Sequence, residues 1–423
     1  MDIARKTALS SLDKIIGEGS YSNLTLQNTL SSDGLTLLDK SFASALVYGV
    51  LDRKITLDYV LNKYLKRGIN KTSLTTANAL RMALYQIMFM DKVPDSAAVN
   101  ESVNLIKKSK ERYNASLVNG VLRNILRNGI EIPGGNTMSD ISVKYSCEEY
   151  IVKSLVKDYG LESTKLFLEE SLKIPPVYIR VNNIKIDCKK LKELLLTNNI
   201  NVVDGNTENS LIIKDGFDLS KLDLFKQGLF HIEDEACQRA IKFLELKSGL
   251  RVLDMCAAPG GKTFSMAEEM GNKGEIIACD IYKSRVDLIN SGAKRLGLSI
   301  INGLVSDASQ LSDLGKFDAI LCDVPCSGFG VIRRKPEIKY KKQESFTELE
   351  SIQKNILFNA DNYLKDGGKI LYSTCTLRKG ENEKQVEVFL KEHKNYKLLK
   401  EYTFLPFKDG TDGFYCALLQ KSW

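Results

Sequence analysis

Val252-Leu253-Asp254-Met255-Cys256-Ala257-Ala258-Pro259-Gly260-Gly261-Lys262-Thr263 is the stretch that decides the fold. Its first three residues read as the end of a buried strand. The small residues, the proline and the two glycines read as a tight turn, and the residues from about Lys262 to Met270 as a helix. Two of the ligand classes that use a strand-turn-helix are disfavoured. A phosphate-binding loop needs Gly seven residues before Thr263, where Cys256 stands. A dinucleotide loop needs Gly-x-Gly-x-x-Gly, which this turn does not contain.

Outward from that turn the chain alternates strand and helix. Glu275–Asp280 is expected as strand, Lys283–Leu296 as helix, Phe317–Asp323 as strand, a helix from about Leu349 to Leu364, Lys369–Ser373 as strand and Glu381–His393 as helix. Such alternation predicts a Rossmann-like α/β domain from about 236 to 423, a parallel sheet covered on both faces with ligands beyond the carboxyl ends of its strands. In that position the turn lets backbone approach a ligand closely, and the helix start faces a carboxylate, which S-adenosylmethionine carries. Asp280 ends the second strand about 20 residues after the glycines, where an acidic side chain accepts ribose hydroxyls; alone, it would equally suit a helix cap. Asp307, after the apparent third strand, is placed for the adenine edge, although Asp is also a common turn residue.

Residues 1–130 read as helix after helix: Ile3–Gly17, Asp39–Tyr64, Leu80–Met90, Ser96–Ser109 and Ala115–Arg127. Leu80, Ala83, Leu84, Ile87 and Met88 recur at helical spacing and mark a buried face, and Ser96 is expected to cap a helix whose apolar face is Ala98, Val99, Val103 and Ile106. This segment reads as an all-α bundle. Gly129–Met138 is turn-rich and suits a linker. Residues 140–235 read as a small α+β domain, with helices to Leu172, a strand at Val177–Val181, a helix at Lys189–Leu196 and short strands near Val202, Leu211 and Phe230.

At roughly 150 residues per domain, 423 residues suggest about three domains, and 43% hydrophobic residues suffice for their cores. No apolar run reaches the roughly 18 residues of a membrane helix, and the start lacks a signal-peptide core. A soluble, cytoplasmic protein without membrane contact is expected. Two histidines, nine cysteines and no Cys-x-x-Cys predict no metal site and reduced thiols. The net charge of +7 resides in residues 1–130, which alone carry +7. A basic module of this kind suits a polyanion, or merely keeps the surface solvated.

Two thiols stand out. Asp323-Val324-Pro325-Cys326-Ser327-Gly328-Phe329-Gly330 and Ser373-Thr374-Cys375-Thr376-Leu377 each place a cysteine just past the carboxyl end of a strand, beside the expected cofactor turn. Cys279 and Cys322 lie inside strands and read as small apolar residues, as do Cys147, Cys188, Cys237 and Cys416 by default.

The stretches 252–263, 323–330 and 372–377 resemble motifs of the Sun/nucleolar-protein family of RNA 5-methylcytosine methyltransferases, and the resemblance extends over the whole chain. The helical segment, through Ala4-Arg5, Leu46-Val47-Tyr48-Gly49-Val50-Leu51, Ala98-Val99-Asn100-Glu101 and Val118-Asn119-Gly120-Val121-Leu122-Arg123, is similar to the NusB antitermination-factor fold. The resemblance implies that Cys256, Ala257, Ala258, Pro259, Gly260, Gly261, Lys262, Asp280, Asp307 and Asp323 line an S-adenosylmethionine site. It implies Cys375 as nucleophile and Cys326 as the cysteine that assists product release. It also implies small-subunit (16S) rRNA as partner. A monomer is expected. Residues 145–150 and 233–237 depart from the family pattern, and neither departure is expected to touch the catalytic groups.

Chemistry gives an independent reason for such residues. Carbon-5 of cytosine accepts a methyl group only after a thiolate adds to carbon-6, which makes carbon-5 enamine-like. Cys375 would supply the thiolate, Asp323 an acid near ring nitrogen 3, and Cys326 the help needed to remove the carbon-5 proton. Lys262 would lower a thiol pKa or contact the base, or simply sit on the helix surface. Arg333, Arg334, Lys335, Lys339, Lys341 and Lys342 would suit flanking phosphates. Three other readings compete. A non-catalytic RNA-binding factor would have no use for two intact thiols and a glycine loop. A methyltransferase for amino nitrogens would show Asp/Asn-Pro-Pro-Tyr/Phe where Asp323-Val324-Pro325-Cys326 stands. DNA offers the same ring, and the basic helical module favours RNA.

Overall fold

The computed structural model describes residues 2–19, 22–30, 34–214, 218–341 and 346–422. Contacts divide the chain into two compact units, residues 1–173 with 332–341, and residues 174–331 with 342–423.

The first unit is helical: α1 (Ile3–Glu18), α2 (Ser22–Leu30), α3 (Leu37–Asp52), α4 (Lys54–Tyr64), α5 (Leu74–Phe89), α6 (Asp95–Lys107), α7 (Ala115–Asn128), α8 (Met138–Tyr145), α9 (Glu149–Tyr159) and α10 (Leu161–Glu170). The expected stripe of α5 is core: Leu80, Ala83 and Leu84 are buried, with Ile87 and Met88 packed against them. Residues 129–137 form neither helix nor strand. The single helix expected over Asp39–Tyr64 is broken at Arg53. The orphan N–H groups of a new helix need acceptors, and these come from residues distant in sequence. The Ser146 hydroxyl accepts from Ile55 N at 2.8 Å and the Tyr340 hydroxyl from Lys54 N at 3.2 Å. Ser96 is not a cap: α6 starts one residue earlier, with Pro94 O accepting from Ala97 N and Ala98 N.

The segment 332–341 returns to this helical unit, and that overturns one expectation for the basic run. Lys339 is fully buried with its Nζ 3.1 Å from Asp52 Oδ1, and Arg333 is also buried, so neither is available to a phosphate. Lys342 lies outside the described residues.

The second unit begins with a small α+β layer: β1 (Val177–Val181), α11 (Cys188–Thr197), β2 (Val202–Asp204), β3 (Ser210–Ile213), α12 (Asp223–Lys226) and β4 (Phe230–Ile232). Its antiparallel sheet has the order β2-β3-β1-β4. There follow α13 (Glu235–Ile241), β5 (Arg251–Asp254), α14 (Gly261–Glu269), β6 (Glu275–Asp280), α15 (Lys283–Leu296), β7 (Ile301–Val305), β8 (Phe317–Asp323), α16 (Phe346–Tyr363), β9 (Leu364–Thr374), α17 (Glu383–Glu392), β10 (Tyr396–Phe404), α18 (Pro406–Asp409) and β11 (Phe414–Lys421). The large sheet runs β10-β11-β9-β8-β5-β6-β7. Strands β9, β8, β5, β6 and β7 are parallel, while β11 and β10 add antiparallel. The two strands after His393 carry no expectation from the sequence, and they turn the expected fully parallel sheet into a mixed one.

Alternation along each strand builds a core on each face. Val252, Ala319, Leu321 and Leu371 meet the helices α13–α15, whereas Leu253, Ile320, Cys322, Ile370 and Tyr372 meet α16 and α17. A buried ionic cluster joins the small layer to α14. Arg180 Nε donates to Glu268 Oε2 at 2.6 Å and Arg180 Nη2 to Glu269 Oε1 at 2.7 Å, with His231 Nε2 3.5 Å from Glu268 Oε1. Removing one member strands a buried charge, so Arg180→Met is expected to cost about 3–5 kcal/mol in urea unfolding, and adding Glu268→Gln should recover part of it. Equal stability of Arg180→Met and the parent chain would contradict this. No described helix is long and apolar enough to cross a membrane.

Candidate active site

The parallel strands bring the carboxyl ends of β5, β6, β8 and β9 to one edge. From β5 the chain runs to β6 and β7 on one side, then returns to β8 and β9 on the other. Such a reversal opens a crevice between the two central strands, here β5 and β8. A cavity of about 180 Å³ lies there, lined by Asp254, Cys256, Ala257, Ala258, Pro259, Gly261, Lys262 and Asp323, and by Glu233, Asp234 and Cys237 from the entry to α13.

The turn can exist only with glycine at 260. Gly260 has φ +111°, and a Cβ there would lie 2.4 Å from the Phe264 ring. The helix α14 thus starts against the cavity and aims Lys262 across it, with Nζ donating to Asp323 Oδ2 at 2.7 Å. The other oxygen of Asp323 accepts from Ser373 Oγ at 2.8 Å. Burial works against the charge of Lys262, but Asp323, together with Cys237 and Glu233, more than offsets it and holds the ammonium well above the ordinary lysine range. Lys262 is therefore a cavity residue and not a helix-surface lysine.

Asp254 lies beneath the turn, its Oδ2 accepting from Thr263 Oγ1 at 2.7 Å, and burial pushes its carboxyl up to about 7. A raised acid favours the fold while protonated. Its contribution is full below the unfolded value near 4 and is lost as pH rises through about 7. Asp254→Asn should remove this slope. Relative to the parent chain, the variant is expected to gain up to about 4 kcal/mol between pH 4 and pH 8. Parallel stability curves over that range would contradict the burial of an acid there.

The thiols meet at the neighbouring strand exits. Cys326 Sγ is 3.1 Å from Cys375 Sγ. The hydrogen bond with Cys375 and burial push the Cys326 thiol well above its ordinary range, so Cys326 keeps its proton. None of the nine cysteines is disulfide-bonded. Below the pair, Glu381 is fully buried. Its Oε2 accepts from Ser327 N at 2.8 Å and Gln353 Nε2 at 2.9 Å, and its Oε1 from Arg378 Nη1 at 2.8 Å. Asn382 accepts from Thr374 Oγ1 and donates to Thr376 O. The loop carrying Cys326 is pressed onto its neighbours at Gly330, where a Cβ would lie 1.8 Å from Gly413 O and 2.9 Å from Cys375 O. These contacts fix both sulfurs on rigid backbone.

The other expected residues stand nearby but outside the cavity lining. Asp280 ends β6 almost fully buried, with Oδ1 accepting from Tyr282 N at 3.1 Å. Asp307 Oδ1 accepts from Ser309 N at 2.9 Å and Ser309 Oγ at 2.7 Å, closing a turn one residue after Ser306 N bonds to Asp280 O. Cys279 and Cys322 are buried strand residues.

One expectation fails here. The departing stretch 233–237 does touch the proposed catalytic groups, because Glu233, Asp234 and Cys237 share the cavity with Lys262 and Asp323. Glu381 and Asn382, expected as the first residues of a helix, instead support the thiol loops. That helix starts at Glu383, and the Asn382 backbone, at φ −116° and ψ −106°, lies outside it. Among the described residues, no group of His, Cys, Asp or Glu is arranged to hold a metal ion.

Three family models match the chain: the NusB family over residues 2–127, a ferredoxin-like domain of RsmF/B-like methyltransferases over 148–220, and the 16S rRNA methyltransferase RsmB/F over 241–420. The probable ribosomal RNA small subunit methyltransferase B of Bacillus subtilis is 36% identical, covering 99% of this chain and 98% of that one. Its Synechocystis counterpart is 29% identical, covering 99% of each. The crystal structure of PH0851 superposes with a TM-score of 0.85 at 25% identity, over 98% of this chain and 99% of that one. The chain belongs to the ribosomal RNA small subunit methyltransferase B family.

Proposed function

We propose that this protein methylates carbon-5 of a cytosine in small-subunit (16S) rRNA, using S-adenosylmethionine and a covalent bond between Cys375 and carbon-6 of the base. The observation that carries the reading is the pair of thiols 3.1 Å apart at adjacent strand exits, next to the Lys262–Asp323 ion pair. Two thiols of this kind serve a reaction in which one sulfur adds to the ring and the other helps release it. The printed names of the relatives support rRNA as the substrate class.

The cavity has the donor set that S-adenosylmethionine needs. Gly261 lines the cavity without a side chain and leaves room for its methionine part, and the N–H groups opening α14 suit its carboxylate. Glu233 Oε1 is buried without a hydrogen-bond partner among the described residues and lies 3.4 Å from where a Cβ of Gly261 would stand, which suits its ammonium. Asp280 would take the ribose hydroxyls and Asp307 the adenine edge. The cofactor supplies an electrophilic methyl carbon.

The chain's own residues do the rest. The Cys375 sulfur adds to carbon-6 of an unstacked cytosine. Lys262 and Asp323 together hold a proton where ring nitrogen 3 gains negative charge. Carbon-5, now enamine-like, takes the methyl group. A base that Cys326 helps position then accepts the carbon-5 proton, the carbon–hydrogen pair re-forms the ring double bond, the carbon–sulfur bond breaks, and its electron pair returns to Cys375. The family-model spans support a three-part division, residues 1–130, 140–235 and 236–423, in which the first two parts bind RNA and the third is catalytic.

RNA containing 5-fluorocytidine tests the covalent step, because fluorine cannot leave as a proton does and the adduct persists. Digestion and mass spectrometry should locate the modified nucleotide on Cys375. An adduct on Cys326, or none despite cofactor binding, would contradict the mechanism.

A further inference from the structure

The helical unit carries a groove that this chemistry does not use. It opens between the segment 64–73, which follows α4, and the face of α7 between Ser116 and Arg127, with a volume of about 730 Å³. Lys66, Arg67, Lys71 and Arg127 line it, and no acidic side chain does. All four cations are exposed, and none forms an ion pair within the described residues. This contrasts with Lys54 and Lys63 on the adjoining helix, which are paired with Asp58 and Glu131. Four unpaired like charges around one concavity repel each other, and an anion laid between them relieves that repulsion.

A second feature narrows the anion. Tyr113, at the groove's end, is 75% exposed. Most aromatic rings bury themselves, so a ring left open beside cations is a surface on which a planar base can stack. The walls are rigid. Tyr64 OH donates to Gly129 O at 2.6 Å. The Glu111 carboxylate accepts from Ser73 Oγ at 2.6 Å and from Thr76 N at 2.8 Å, and Asn114 Nδ2 donates to Thr76 Oγ1 at 3.0 Å. Glu111 is thereby held within the wall and does not line the groove, whose lining carries four cations and no carboxylate. An acidic peptide would use the cations but leave the ring idle. A single-stranded nucleic acid uses both, since its phosphates meet the cations and its unpaired base meets the ring.

We infer that this groove binds a single-stranded segment of the RNA substrate, with its phosphates on Lys66, Arg67, Lys71 and Arg127 and one base stacked on Tyr113. The inference rests on the RNA methyltransferase reading and deepens it by giving the helical unit an RNA contact of its own.

The test uses the full-length chain and a small-subunit rRNA fragment, with binding read by fluorescence anisotropy across a salt series and methyl transfer read separately. The variant Lys66→Ala/Arg67→Ala/Arg127→Ala should weaken binding at least roughly tenfold and lower the slope of log affinity against log salt by about 2. Tyr113→Ala should weaken binding by roughly tenfold, while Tyr113→Phe keeps the stacking face and should match the parent. In methyl transfer, KM for RNA should rise with kcat unchanged at saturating RNA. Parent-like affinity and salt slope in the triple variant would overturn the inference and leave the groove to an acidic protein segment. Equal losses in Tyr113→Phe and Tyr113→Ala would overturn the stacking role. If the parent chain transfers no methyl group but the variants still lose RNA affinity, the methyltransferase reading fails and the groove stands. If the parent transfers methyl and the variants bind as it does, the groove fails alone.

Discussion

Replacing Cys375 with alanine is expected to abolish methyl transfer, lowering single-turnover rates by roughly 10⁴-fold or more while RNA affinity and fold persist. The size of the effect follows from the chemistry. Without a sulfur at carbon-6, carbon-5 is not nucleophilic enough to take a methyl group, and no other described thiol can substitute. Cys326 is the neighbour at 3.1 Å, but its proton is held by that contact and by burial. Cys375→Ser should be nearly as inactive, because a hydroxyl is a far weaker nucleophile at neutral pH. Retention of more than a few per cent of the parent rate in Cys375→Ala would remove this residue from the covalent step.

Cys326→Ala is expected to fail differently. Addition, methylation and loss of cofactor product proceed once, but removal of the carbon-5 proton stalls and the carbon–sulfur bond cannot break. The protein should therefore accumulate on RNA as an adduct that survives a denaturing gel, with a burst of about one methyl group per chain and little turnover after it. Cys326→Ala/Cys375→Ala should show neither burst nor adduct. If Cys375→Ala trapped RNA and Cys326→Ala turned over freely, the two roles would be exchanged.

Much of this arrangement is legible in the sequence because it depends on local chemistry. A strand followed by small residues and two glycines specifies a close turn, and Asp280, Asp323 and Cys375 sit where strands must end. The pairing of Cys326 with Cys375 follows once β8 and β9 are neighbours in a parallel sheet. Long-range features were not legible. Glu233 and Asp234 reach the cavity because the β4–α13 turn lies over α14, and no periodicity in their own stretch encodes that approach. Glu381 and Asn382 look like an acidic helix start, which is a frequent pattern, and only the buried partners Ser327, Gln353 and Thr376 identify them as support for the thiol loops. Lys339 has the composition of a phosphate contact and the environment of a core residue, because Asp52 lies 287 positions away in sequence and meets its ammonium. The last two strands were missed for a further reason. In β10 most side chains are exposed, so its sequence carries a weak apolar signal, and its place is set by pairing with β11.

The most direct measurement is transfer of a labelled methyl group from S-adenosylmethionine to unmodified small-subunit rRNA, followed by digestion and identification of the labelled nucleoside. Label recovered in 5-methylcytidine is the predicted result. Label in any other nucleoside, or none from naked RNA and subunits alike despite cofactor binding, would contradict the assignment of carbon-5 of cytosine as the acceptor.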